Sequence, residues 1–229
     1  AVIKARTICE ITGEITLAHR GVLFLDEMPE FSRRSLEILR QPLEDKVIRI
    51  SRVYGTYDFP ADFMLCAAMN PCPCGHYPDM NRCRCTPAQV MQYLGRISQP
   101  LLDRLDLCAE VSPVDFEGLS SGRKGESTQT IRERVICAQD IQRERYKIEG
   151  IQFNGELSGA QIEKYCKMEK DARQLLKMAF QNMPFSARAY HRILKVARTI
   201  ADMEATESIH RHHIAEALSY RAFDKKYWN

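Results

Sequence analysis

The chain has 229 residues, 45% apolar and 28% charged, with a formal net charge of +3. These are the proportions of a soluble globular protein with room for one large domain or two modest ones. The charge is too small to argue for a nucleic-acid partner by itself. No apolar run approaches the roughly 18 residues of a membrane span, and the first ten residues lack the apolar core and cleavage site of a secretion signal. Nine cysteines without such a signal read as thiols or metal ligands in a reducing cytoplasm, not as a disulfide framework.

Gly21 to Leu25 is a continuous apolar run that ends in Asp26 and Glu27, the pattern of a strand buried on both faces in a parallel sheet. Ser32 caps a helix with Leu36 and Leu39 that should stop near Pro42. Residues 47–59 read as a β-hairpin around Gly55. Phe63 to Met69 is a second buried run, ending at Asn70, and a cysteine-rich loop follows from Cys72 to Cys85. Thr86-Pro87 opens a helix, with the threonine as cap and the proline at the first helical position. A short helical stretch holds Leu101 and Leu102, Leu107 to Val111 reads as a third strand, and residues 117–126 as a Gly/Ser-rich loop. Ser127 to about Lys147 is helical, with Ile131, Val135 and Ile136 on an apolar stripe.

From about residue 150 helical patterns dominate. Ser158 with Gln161 matches a capping box. Asp171 to Met183 is a helix. Ser186 caps a long helix with Tyr190, Ile193, Leu194, Ala197 and Ile200 on one face, and a last helix spans roughly Arg211 to Phe223. The expected division is an α/β part over 1–150 and an all-helical part over 151–229.

Several groups carry chemistry. Four apolar residues followed by Asp26-Glu27 match a Walker B motif, in which the first acid holds Mg²⁺ and the second acts as general base on water; the alternative is a core strand ending in surface acids. Asn70, at the carboxyl end of a parallel strand, lies where α/β sheets bind ligands, or is a turn residue before Pro71. Arg104, in Leu101-Leu102-Asp103-Arg104-Leu105-Asp106, has the setting of an arginine finger, against a local salt bridge to Asp103 or Asp106; Arg96 is a second candidate. Arg188, in the first turn of the long helix, suits an anion site at a helix N-terminus. The alternative is a solvated basic face shared with Arg192, Lys195 and Arg198. Cys72-Pro73-Cys74 and Cys83-Arg84-Cys85 supply four thiols for a tetrahedral Zn²⁺, with His76 as a spare ligand; free loop thiols are the alternative. Cys9, Cys66, Cys108, Cys137 and Cys166 read as small core residues.

The order of these motifs resembles AAA+ ATPases of the clade with a hairpin before the sensor asparagine. The match is closest to the magnesium-chelatase-like ComM/YifB family. Gly13-Glu14-Ile15-Thr16-Leu17-Ala18-His19, Leu25-Asp26-Glu27-Met28-Pro29-Glu30-Phe31 and Gln41-Pro42-Leu43-Glu44-Asp45 carry it. So do Ala68-Met69-Asn70-Pro71-Cys72-Pro73-Cys74-Gly75 and Ser186-Ala187-Arg188-Ala189-Tyr190-His191-Arg192. The resemblance implies a partial AAA+ P-loop-type parallel sheet with a C-terminal all-helical lid domain. It also implies a cytoplasmic, ring-forming homo-oligomer, a hexamer by the family pattern, that couples ATP hydrolysis to DNA remodelling such as branch migration. Asp26, Asn70 and Arg188 would bind the nucleotide and its Mg²⁺, Glu27 would act on water, and Arg104 would reach a neighbour's ATP. Arg49, Arg52 and Tyr54 of the hairpin would touch DNA, where arginine and tyrosine suit phosphate contact and stacking. A magnesium chelatase ATPase subunit and a non-catalytic zinc-binding module are the alternatives. One departure stands out: nothing matches Gly-x4-Gly-Lys-Ser/Thr, and Gly118 to Gly125 has the wrong spacing. The chain therefore reads as a C-terminal fragment without the P-loop and weak in ATP binding alone, its sheet lacking the strand expected between those ending at Asn70 and Val111. That gap could be filled by another segment, by another chain, or left open.

Overall fold

The computed structural model describes residues 13–53, 55–111, 125–183 and 185–221. It is a mixed α/β structure with a small parallel sheet and many helices. The described residues divide into two compact units, one up to residue 105 and one from residue 106 onward.

In the first unit, helix α1 (Glu14–Leu17) precedes strand β1 (Val22–Leu25). Helices α2 (Arg33–Ile38) and α3 (Arg40–Asp45) lead to the hairpin strands β2 (Val47–Arg52) and β3 (Gly55–Pro60). Strand β4 (Met64–Ala67) and helices α4 (Pro87–Leu94) and α5 (Gln99–Leu102) complete it. Ser32 caps α2 as expected, its Oγ accepting the Ser35 N–H at 3.1 Å. The helical run does not end at Pro42: it breaks at Leu39 and resumes, with Pro42 buried in the first turn of α3, where its missing N–H is no loss. Thr86 and Gln89 form a full capping box on α4.

β1 pairs parallel to β4, Leu25 opposite Ala67. The sheet is not buried on both faces. Leu23 and Leu25 enter a core with Met28, Leu36, Leu39, Ile97, Leu101 and Leu102, while Val22, Phe24 and Met64 on the other face are more than half exposed. A strand's two faces are covered independently, and no described element covers the outer one. β2 and β3 form the expected hairpin, Arg49 opposite Asp58.

In the second unit, residues 107–111 are not a strand. Their one backbone bond shown is Cys108 N–H to the Tyr220 carbonyl at 3.1 Å, and without a neighbouring strand a ladder cannot form. Helices α6 (Thr128–Arg145), α7 (Gly159–Tyr165), α8 (Lys170–Asn182), α9 (Ala187–Met203) and α10 (Arg211–Ser219) follow. Ile162, Leu176, Ile193, Leu194, Ala197, Ile209 and Ile214 form their core. The face of α9 expected from its spacing is the buried one. The stripe on α6 is not: Ile131, Val135 and Ile136 are exposed, and α6 instead buries Ala138 and Gln142.

A buried polar network, absent from the sequence reading, joins α6, α9 and the turn at Asn154. Arg198, which the alternative reading of Arg188 put on a shared solvated face, is fully buried. Its Nε donates to Asp202 at 3.1 Å, and its terminal nitrogens donate to the carbonyls of Thr206 and Glu207. Asp202, also fully buried, accepts from Arg145 at 2.9 Å and from Asn154 at 2.8 Å.

Lys164 (2.6 Å), Tyr165 (2.5 Å) and Gln161 (3.1 Å) all donate to Glu149. These donors, Lys164 first, hold its carboxyl down at about 2. A depressed folded value means the contribution is complete above the unfolded value of about 4.3 and is lost as pH falls toward the folded one. The urea midpoint of the protein is therefore expected to drop between pH 6 and pH 3 less steeply in Glu149→Gln than in the parent; identical slopes would remove this group from the acid response.

Candidate functional site

The carboxyl ends of β1 and β4 bring two of the sequence-derived groups to one edge. Ala68 N–H bonds the Leu25 carbonyl at 2.9 Å, and Met28 N–H bonds the Ala68 carbonyl at 3.0 Å, so Asp26 and Glu27 arch over the end of β4 just before Asn70. Asp26, Glu27 and Asn70 are all exposed. The Asp26 Oδ1 accepts the Glu27 N–H at 2.9 Å, which fixes the rotamer of the acid. Glu27 sits in the left-handed region at φ 49°, ψ 48°. That conformation costs a non-glycine residue roughly 1–2 kcal/mol; glycine would avoid the strain, so what the position supplies is the carboxylate.

Arg104 has neither of the local partners expected. Asp103 and Asp106 are passed over for Glu44 at the end of α3, which pairs with Nη2, while Nη1 donates to the Pro100 carbonyl at 2.6 Å. The side chain is only 8% exposed, and its Nε has no hydrogen-bond partner among the described residues. Arg96 donates to the Pro29 carbonyl at 2.9 Å and to Glu30 at 3.1 Å, tying α4 to the turn after Glu27. Glu44, near the end of a short helix 60 residues from Arg104, lies in the Gln41-Pro42-Leu43-Glu44-Asp45 segment, but nothing in that segment points to Arg104 as its partner.

Arg188 occupies the exposed first turn of α9, whose cap is Ser186, its Oγ accepting the Ala189 N–H at 3.2 Å. Arg192 pairs with Asp106. On the hairpin, Arg49 is committed to a bidentate pair with Asp58 at 2.8 and 3.0 Å. Tyr54 and the side chain of Arg52 lie outside the described residues, as do Cys9, Gly118 to Lys124 and the end of the last expected helix at Phe223.

The four cysteines of the loop converge. The Sγ of Cys72 lies 3.4 Å from that of Cys74 and 3.8 Å from that of Cys83, and Cys74 and Cys83 are 3.6 Å apart. All four sulfurs, Cys85 included, lie within 4.8 Å of one another, a set that could hold a metal. Cys72, Val90, Tyr93 and Leu94 form a small core beneath them. Of the other thiols, Cys166 is buried, and burial pushes it up to about 11. Cys66 and Cys137 are not core residues: one lies on the open face of the sheet, the other on the open face of α6.

A groove of about 820 Å³ in the helical unit, lined by Ile162, Cys166, Leu176, Phe180, Tyr190 and Leu194 among others, includes none of the expected site residues. No helix among the described residues is long and apolar enough to cross a membrane.

Residues 3–119 match the family model of magnesium chelatase, subunit ChlI, and residues 125–221 that of its C-terminal region. YifB of Salmonella typhimurium is 48% identical over 215 residues, 93% of this chain and 41% of the relative. Competence protein ComM of Haemophilus influenzae is 47% identical over 211 residues, 92% of this chain and 40% of the relative. The chain belongs to the magnesium-chelatase-like ComM/YifB family. It spans about two fifths of the length of these relatives.

Proposed function

We propose that the chain is the part of a ring-forming AAA+ ATPase that carries the acid pair, the sensor residues and the arginine finger, and that the whole protein couples ATP hydrolysis to DNA remodelling such as branch migration. The observation that supports this reading most is the parallel β1–β4 pairing, with Asp26, Glu27 and Asn70 at one edge. The donor set suits a magnesium nucleotide: an exposed carboxylate with one oxygen held by backbone, a second carboxylate and a neutral amide. Mg²⁺ would neutralise charge on the phosphates. Asp26 would hold the ion, Glu27 would accept a proton from the attacking water, and Asn70 would orient that water or contact the terminal phosphate. Arg104, once released from its pair with Glu44, would reach the nucleotide of the neighbouring subunit, and Arg188 would bind phosphate from the lid. The name of the Haemophilus relative, competence protein, and the exposed arginine of the hairpin support the DNA part. A cytoplasmic homo-oligomer follows from the same reading.

A mixing experiment tests the reading. In a protein of the relatives' full length, Arg104→Ala and Glu27→Gln are each expected to abolish DNA-stimulated ATP hydrolysis. Mixed rings are expected to regain part of it, because some interfaces then join an intact Arg104 to an intact Glu27. No hydrolysis by the parent, or no recovery on mixing, counts against a shared site.

A further inference from the structure

We propose that Cys72, Cys74, Cys83 and Cys85 form a closed four-thiolate zinc site that fixes the loop between β4 and α4 and, through Gly75, the setting of Asn70. The metal site stands independently of the ATPase reading; only the importance of Asn70 rests on it.

Geometry carries the first part. Zinc with Zn–S bonds of about 2.3 Å at tetrahedral angles has sulfurs about 3.8 Å apart. The three closest separations here, 3.4, 3.6 and 3.8 Å, approach that edge before any ion has drawn them in. Tyr77 N–H donates to the Cys72 sulfur at 3.4 Å, an outer contact of the kind that orients and tunes a metal-bound thiolate. The set has no carboxylate and no open position, so it is structural, and its softness selects zinc over magnesium or calcium. The exposed Arg82 and Arg84 flank the double negative charge that four thiolates leave around a divalent ion.

The second part follows from what the loop touches. Gly75 adopts φ +79°, and a Cβ built there would lie 3.8 Å from the Asn70 Oδ1. Gly75 N–H also bonds the Cys72 carbonyl at 3.0 Å. The backbone between two ligands is thus packed against the amide at the end of β4. Without the ion, one buried and three half-buried sulfurs would hold this loop only by weak S–H contacts.

Elemental analysis of the protein purified reduced and without chelators is expected to give about one zinc per chain. Cobalt exchange should give the intense red-end visible bands of a tetrahedral thiolate site. The double variant Cys83→Ser/Cys85→Ser should lose the metal, whereas Cys137→Ser should keep it. Should the double variant not fold, stepwise thiol blocking of the parent provides the same information: zinc release should track modification of the loop cysteines. Following the side-chain amides by NMR, the Asn70 signals are expected to shift on metal removal and those of Asn182 to stay. Trace zinc only, an octahedral cobalt spectrum, zinc retained in the double variant, or unmoved Asn70 signals would each overturn the proposal.

Discussion

Asp202→Ala is expected to destabilise the helical unit by about 3–5 kcal/mol, the cost of breaking a buried ion pair from one side. The number reflects what stays behind. Arg198 is fully buried, and Arg145 is largely so; both lose their shared anion, as does the Asn154 amide. The strain spreads further, because Arg198 also donates to the carbonyls of Thr206 and Glu207 and so closes the turn between α9 and α10. Denaturant titration of Asp202→Ala, Arg198→Met and the double variant separates these effects. The double variant should be more stable than Asp202→Ala alone, since an apolar side chain then replaces the stranded cation. A loss below about 1 kcal/mol in Asp202→Ala would show that water reaches the arginines and screens them.

Glu27→Gln, in a protein of full length, is expected to lower ATP turnover by about 10²–10⁴, the usual worth of a positioned general base, while nucleotide binding persists. The amide keeps the shape of the side chain and leaves the turn at Met28 intact, but it cannot take a proton. Asp26→Asn should behave differently, weakening the magnesium dependence of binding itself. Quenched-flow measurement of the hydrolysis step, with binding followed separately, distinguishes the two. Turnover that survives Glu27→Gln would move the base elsewhere.

The hairpin at Gly55, the caps at Ser32, Thr86 and Ser186, the buried face of α9 and the strand ends that carry Asp26 and Asn70 were legible from local signals. Each is set within a few residues, by turn chemistry, by a side chain that satisfies an orphan N–H, or by helical spacing. What failed depended on distant partners. The apolar residues of β1 and of 107–111 have strand composition, but burial of a second face and formation of a ladder need neighbours that composition cannot supply. Ile131, Val135 and Ile136 are spaced as a stripe and yet open to water for the same reason. Arg198 and Asp202, four apart on a helix, look like an ordinary surface pair, and only the packing of α6 and the Asn154 turn shows that they are interior. Arg104 pairs with Glu44, 60 residues away, rather than with its own neighbours, a partner that local spacing does not single out.

The uncovered side of the β1–β4 pair has a practical outcome. Val22, Phe24 and Met64 form an oily strip on a sheet only two strands wide. Such a surface makes the polypeptide adhesive at high concentration: sulfate should salt it out early, and mild detergent or a polar replacement at Phe24 should keep it dispersed.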